Sequence, residues 1–195
     1  MTDSVYQRIL GVSLAALRPE LLDYFTTTHV GVGEGVFSVA GSRYRILRPV
    51  LSFLAWRGVL FPEYARDVPF TITNTPNPDG SLDAVRTFNF PKRSRPLVDT
   101  MRVVDGELHD YLGKRGGFEV RLRVTIHDGL LSMRSDRQWL HLGRARIPLP
   151  PFAGVTVDES WDGDKQHVDV RLHAPILGEW FRYAGSFTYQ KPMVE

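Results

Sequence analysis

The chain has 195 residues, enough for one domain with a sizeable core, and its 43% hydrophobic and 11% aromatic content excludes a disordered polymer. It holds no cysteine, which excludes disulfides, thiolate metal sites and cysteine nucleophiles. A formal net charge of +2, from 20 Arg and 4 Lys against 22 acidic residues, is too small to imply a nucleic-acid partner. No run approaches the roughly 18 apolar residues of a membrane span. The opening Met1-Thr-Asp-Ser-Val-Tyr-Gln-Arg8 lacks the basic and then apolar run of a signal peptide, so a cytoplasmic monomer or homodimer is the expectation.

In chain order, Leu14, Leu17, Leu21, Leu22 and Phe25 recur at helical spacing and predict a first helix within Ser13 to Thr28. A short alternating strand follows, from Val30 to Gly41, whose glycines indicate a bend or a close backbone approach. Arg43 to Leu60 reads as a second helix, with Pro49 in its first turn and Gly58 near its end. Its arginines, Arg43, Arg45, Arg48 and Arg57, fit a solvated side, and they also allow a weak membrane-surface contact.

From Val68 onward the pattern is β. The predicted strands are Val68 to Thr75, Leu82 to Phe90, Leu97 to Val104, Leu108 to Leu112, Gly117 to His127, Leu130 to Arg134, Gln138 to Leu142, Val155 to Trp161, His167 to Leu172, and a long last strand from Leu177 to Tyr189. Turn signals separate them at Asn77-Pro-Asp-Gly80, Asp105-Gly106, Asp128-Gly129 and Asp162-Gly-Asp164. Pro148, Pro150 and Pro151 suggest a corner. The fold class is therefore mainly β (α+β): a long antiparallel meander curled into a barrel or half-barrel, with two helices near the N-terminus covering or plugging it.

The informative side chains are polar ones that interrupt apolar strand faces, because a charge there must be paired or useful. Glu179 shares its alternation with Leu177, Phe181 and Tyr183, and Glu159 with Val155, Val157 and Trp161. Glu179, Glu159 and Tyr183 are the candidate catalytic set, since a carboxyl desolvated against aromatics holds its proton toward neutral pH. Arg86, Phe88, Met101, Tyr111, Trp139, His141 and Phe181 are the candidate ligand-binding residues. The alternative for either glutamate is an ion pair with Arg86 or another of the 20 arginines inside the curved sheet. His109 with Tyr111, and His167 with Asp169, lack a third partner for a metal site, so no metal is expected. No phosphate loop, dinucleotide fingerprint or Gly-x-Ser-x-Gly elbow occurs, so no cofactor is expected.

Spread along the chain are Tyr6-Gln-Arg-Ile-Leu10, Leu60-Phe-Pro62, Val68-Pro69, Arg86-Thr-Phe88 and Gly129-Leu130-Leu131. Ile147-Pro-Leu-Pro150 with the later Glu159, and Pro175-Ile-Leu-Gly178 leading to Tyr183-Ala-Gly185, complete the set. With these residues the chain resembles the bacterial domain-of-unknown-function family 4166, which also occurs fused to saccharopine dehydrogenase-like chains. The resemblance implies a single domain over residues 1–195 and brings no established activity. The residues themselves point to a barrel that binds a lipophilic small molecule and catalyses a cofactor-independent cyclisation or isomerisation, as on a polyketide- or terpenoid-like compound. The alternatives are a non-catalytic lipid or small-molecule carrier and an interaction domain with a filled core.

Overall fold

The computed structural model describes residues 3–150 and 154–190. Ser4 caps the first helix, α1 (Val5–Leu10): its Oγ accepts from the Gln7 N–H at 3.1 Å, and the Gln7 side chain accepts from the Ser4 N–H at 2.8 Å. A 3₁₀ segment, Gly11–Ala16, leads to α2 (Pro19–Thr26). The single helix expected from Ser13 to Thr28 is thus broken at Leu17 and Arg18. Proline disfavours helical backbone in the residue before it, and Arg18 is extended with ψ 139°. The expected burial survives the break, because Leu14, Leu17, Leu21 and Phe25 are all buried.

Strands β1 (Gly31–Gly41) and β2 (Tyr64–Ala65) flank a 3₁₀ turn, Arg45–Leu47, and helix α3 (Arg48–Arg57), which ends at Gly58 in the left-handed conformation. Then follow β3 (Val68–Pro76), β4 (Leu82–Phe90), β5 (Arg93–Val104), β6 (Glu107–Leu112), β7 (Phe118–His127), β8 (Leu130–Leu142), β9 (Ala145–Leu149), β10 (Gly154–Asp162), β11 (Lys165–Ala174) and β12 (Gly178–Gln190). Asp105-Gly106 and Asp128-Gly129 have positive φ at both residues, as two-residue hairpins of right-twisted strands require.

Two expected strands, Leu130 to Arg134 and Gln138 to Leu142, are one continuous β8. The proline-marked segment contains a strand rather than only a corner. Pro148 pairs opposite Trp139 in β9, an edge strand where a missing N–H costs no ladder bond. Pro151 lies outside the described residues.

The sheet runs β10-β11-β12-β1-β3-β4-β5-β6-β7-β8, and β8 pairs back to β10 from Leu131↔Glu159 to Arg134↔Thr156. The result is a closed antiparallel barrel of ten strands, with β9 and β2 as side pairings. Antiparallel closure removes the sheet edges, and ten strands leave more interior than the eight that side chains just fill. Two apolar clusters occupy the lumen. At one end Val5, Tyr6, Leu21 and Phe25 of the N-terminal helices plug the barrel against Met101, Leu108, Leu122 and Met133. At the other, Leu51 of α3 and Val59-Leu60-Phe61 pack on Phe37, Phe70, Phe88 and Phe181.

Candidate functional site

Between the two clusters lies a cavity of about 130 Å³, walled by Phe37, Phe70, Leu97, Val120, Val168 and other apolar side chains. Strand alternation delivers its polar groups. Ala84 lies opposite Asp99, so Arg86, two residues along β4, meets Asp99 diagonally, and their side chains form an ion pair. Asp110 lies opposite Met101 on β6, diagonal to Asp99 on the same inner face. Glu159 enters from β10, Tyr183 from β12, and Tyr6 and Tyr24 from the helical plug.

The electrostatics follow from three carboxyls sharing one guanidinium in an apolar lumen. The Asp99 side chain is only 3% exposed, and its Oδ1 takes the Arg86 donor while its Oδ2 has no hydrogen-bond partner. Asp110 Oδ1 is likewise buried and unpartnered. Burial, then the neighbouring Asp99 charge, pushes the Asp110 carboxyl well above the ordinary carboxylate range. Asp99 is also raised, by burial against the opposing pull of Arg86. Burial lifts Glu159 to about 7, although Gln166 Nε2 donates to its Oε2 at 2.6 Å. Burial pushes the Tyr183 hydroxyl up to about 12, so it remains a donor. The Tyr6 hydroxyl reaches Met101 Sδ at 3.4 Å.

Glu159, Tyr183, Arg86 and Met101 therefore come together around one cavity. Phe88 and Phe181 are buried in the aromatic cluster beside it; Phe88 stands 5.2 Å from the Tyr183 ring centroid and Phe181 stands 5.1 Å from that of Phe61. Glu179 does not join them. At the start of β12, Leu172 pairs with Phe181 but His173 pairs with Glu179, leaving Trp180 as the extra residue of a β-bulge. One extra residue reverses the alternation, so Glu179 shares the outer face with His173 and is exposed. Arg86 pairs with neither glutamate; Asp99 takes it.

Tyr111, Trp139 and His141 are also placed away from the cavity. Tyr111 pairs with Glu119 and Glu119 with Trp139, whereas the inward face at this level carries Asp110 opposite Val120. On that outer face Glu119, only 1% exposed, accepts from His109 Nδ1 at 2.6 Å, His141 Nε2 at 2.6 Å and both the Nε and an NH2 of Arg146 at 2.9 and 2.6 Å. Burial would raise this carboxyl, but the Arg146, His141 and His109 donors together hold it down at about 2. Arg146 stacks over Trp139 at 3.9 Å. The cluster fastens β9 to the barrel wall. Among the described residues no group of His, Asp and Glu is arranged to hold a metal.

Asp99, Asp110 and Glu119 are site residues to which sequence reasoning assigned no role. Asp110 interrupts the Leu108–Leu112 face as Glu159 interrupts its own, so its signal is present in the sequence. Glu119 carries no such signal, because nothing local shows that β9 will cover it.

Residues 17–187 match the family described as Domain of unknown function (DUF4166). The chain is also 28% identical to the uncharacterized protein YndH of Bacillus subtilis (strain 168), across 94% of this chain and 96% of the relative. No solved structure matches it. The match spans most of the barrel and reaches from α2 to the last strand, so the chain belongs to the DUF4166 family.

Proposed function

We propose that the barrel binds a small, largely apolar molecule that presents a hydrogen-bond donor to Asp99 and Asp110. The observation carrying this reading is the pair of buried, unpartnered carboxyl oxygens, Asp99 Oδ2 and Asp110 Oδ1, beside a cavity with apolar walls. Buried polar atoms are nearly always satisfied, so two orphans at one void call for a partner that the chain does not supply. The volume sets the guest's size. About 130 Å³ is close to the roughly 150 Å³ of an engineered cavity that takes benzene, and below the roughly 300 Å³ where drug-sized pockets begin. A ring-sized guest suits this volume.

The test is a thermal-shift series with phenol, benzyl alcohol, benzylamine and toluene at millimolar concentration, alongside native mass spectrometry of the purified protein. Donor-bearing probes should raise Tm more than toluene, and Asp110→Leu should erase that preference. Binding by none of the four, together with no retained mass, would overturn the reading.

A second reading, cofactor-independent acid–base turnover such as an isomerisation or cyclisation, is supported by Glu159. A carboxyl poised near 7 beside a tyrosine donor can exchange a proton at neutral pH. On that reading Glu159 is the base or acid, and the Tyr183 hydroxyl stabilises developing negative charge. Once a turned-over substrate is found, Glu159→Gln should abolish turnover while leaving its affinity within about twofold; retained turnover would remove Glu159 from the reaction.

A further inference from the structure

We infer that α3 and the neighbouring Ile176–Leu177 turn form a docking surface for an anionic lipid bilayer. A helix apolar on all sides belongs in an interior, yet α3 buries only one of its two apolar stripes. Leu51 is fully buried, and Leu47, Leu54 and Ala55 pack on the barrel. The opposite stripe stands in solvent at helical spacing: Ile46 is 83% exposed, Val50 58%, Phe53 54% and Trp56 69%. Ile176, 96% exposed, extends the patch, because the Tyr44 hydroxyl ties the turn to the start of the helical segment by donating to the Leu177 carbonyl at 3.1 Å. Large exposed apolar patches on soluble domains mark interaction sites.

Charge identifies the occupant. From residue 35 to residue 62 the chain has no Asp or Glu and carries Arg43, Arg45, Arg48 and Arg57. Arg43, Arg45 and Arg48 are exposed beside the apolar stripe, while Glu179 is the carboxylate that shares a surface depression with Arg43 and Tyr44. Aromatic and aliphatic side chains flanked by arginines suit the boundary between acyl chains and negatively charged headgroups. The surface also adjoins the lumen, since Val59 and Leu60, directly after α3, line the cavity. An apolar guest could enter from the bilayer there, but the docking surface stands without the cavity reading.

Co-sedimentation of the full chain with vesicles tests this. The protein should bind equimolar phosphatidylglycerol–phosphatidylcholine vesicles at least ~10-fold more tightly than pure phosphatidylcholine, and less tightly as salt rises. Phe53→Ser with Trp56→Ser, and separately Arg45→Glu with Arg48→Glu, should each reduce anionic-vesicle binding by roughly 10-fold or more. These side chains are exposed, so unchanged circular dichroism and probe binding in the cavity would confirm that fold and lumen are intact. Absence of vesicle binding, equal binding to both vesicle types, or a dimer in sedimentation equilibrium that the Phe53→Ser, Trp56→Ser variant dissociates in place of vesicle binding would overturn the inference.

Discussion

Glu159 sits between Val157 and Trp161 on the inner alternation of β10, and the lumen gives it one hydrogen-bond donor, Gln166, and only the weak pull of Arg86, which is paired with Asp99. Its folded pKa of about 7 lies above the ordinary glutamate value of 4.5, so the folded state holds the proton more tightly than the unfolded chain. The stabilisation is full below about 4.5 and is lost as pH rises through about 7, a difference of about 3 kcal/mol. Glu159→Gln should remove that slope, since an amide can still accept from Gln166 and never ionises. Urea unfolding at pH 4 and pH 8 should show the variant gaining on the wild type at pH 8 and hardly at all at pH 4. An equal difference at both pH values would mean that folding does not raise the Glu159 pKa. Glu119, also buried, behaves oppositely because three cationic or hydrogen-bonding neighbours surround it; its contribution is lost only as pH falls toward about 2. Two buried glutamates thus differ by their donors, which residue type alone does not reveal.

At the scale of the strand, the glycines of β1 are notches. A side chain at Gly33 would meet Ile72 Cγ2 at 2.7 Å and Phe187 Cδ2 at 2.9 Å; one at Gly35 would meet Phe187 Cα at 2.6 Å, along with the Ser186 carbonyl. Phe187 of β12 occupies the space that inward side chains of β1 would otherwise fill, which gives the expected close approach its partner. Gly185 makes the reciprocal notch against Phe37 and Val36, so the β1–β12 seam that joins the two ends of the chain is built on small residues. Gly35→Ala should cost about 3 kcal/mol, at the upper end for overpacking because backbone atoms block the methyl. Gly154→Ala, whose nearest neighbour is the His173 carbonyl at 4.0 Å, should change stability by about 0.5 kcal/mol or less. Chemical denaturation of both variants checks the contrast, and a cost below about 1 kcal/mol at Gly35 would show that the seam can shift. Bulges matter as much at this scale: Trp180 is the extra residue that turns Glu179 outward, Ser38 is the extra residue of β1 against β12, and Asp136 is the extra residue of β8 against β7.

Across the whole molecule, every barrel strand depends on two closures. One joins β1 to β12, and the other joins β8 to β10 across the intervening β9 hairpin. The helical plug and the α3 segment each pack on strands from both halves of the sequence. Unfolding should therefore be a single transition, with far-ultraviolet dichroism and tryptophan fluorescence coinciding along a urea titration. Tryptophans at 139, 161 and 180 report on different strands of the wall, and Trp56 on α3. Two separated transitions would divide the chain into independent folding units.

What the sequence determined by itself is what repeats locally. The two-residue alternation of β4, β10 and β11, the Asp-Gly turns and the apolar helix faces specified an antiparallel meander with a helical cover, and they singled out Glu159, Arg86, Met101 and Tyr183 as inward-facing residues. These features depend on a residue and its near neighbours, which the chain order preserves. Tertiary structure decided the rest. It closed the meander into a barrel and turned Glu179 to solvent through a single extra residue. It also gave Arg86 to Asp99 and placed Tyr111, Trp139 and His141 around Glu119 on the outside. Each of these depends on which strands pair and in what register, and a one-residue change of register exchanges the inner and outer faces of everything beyond it.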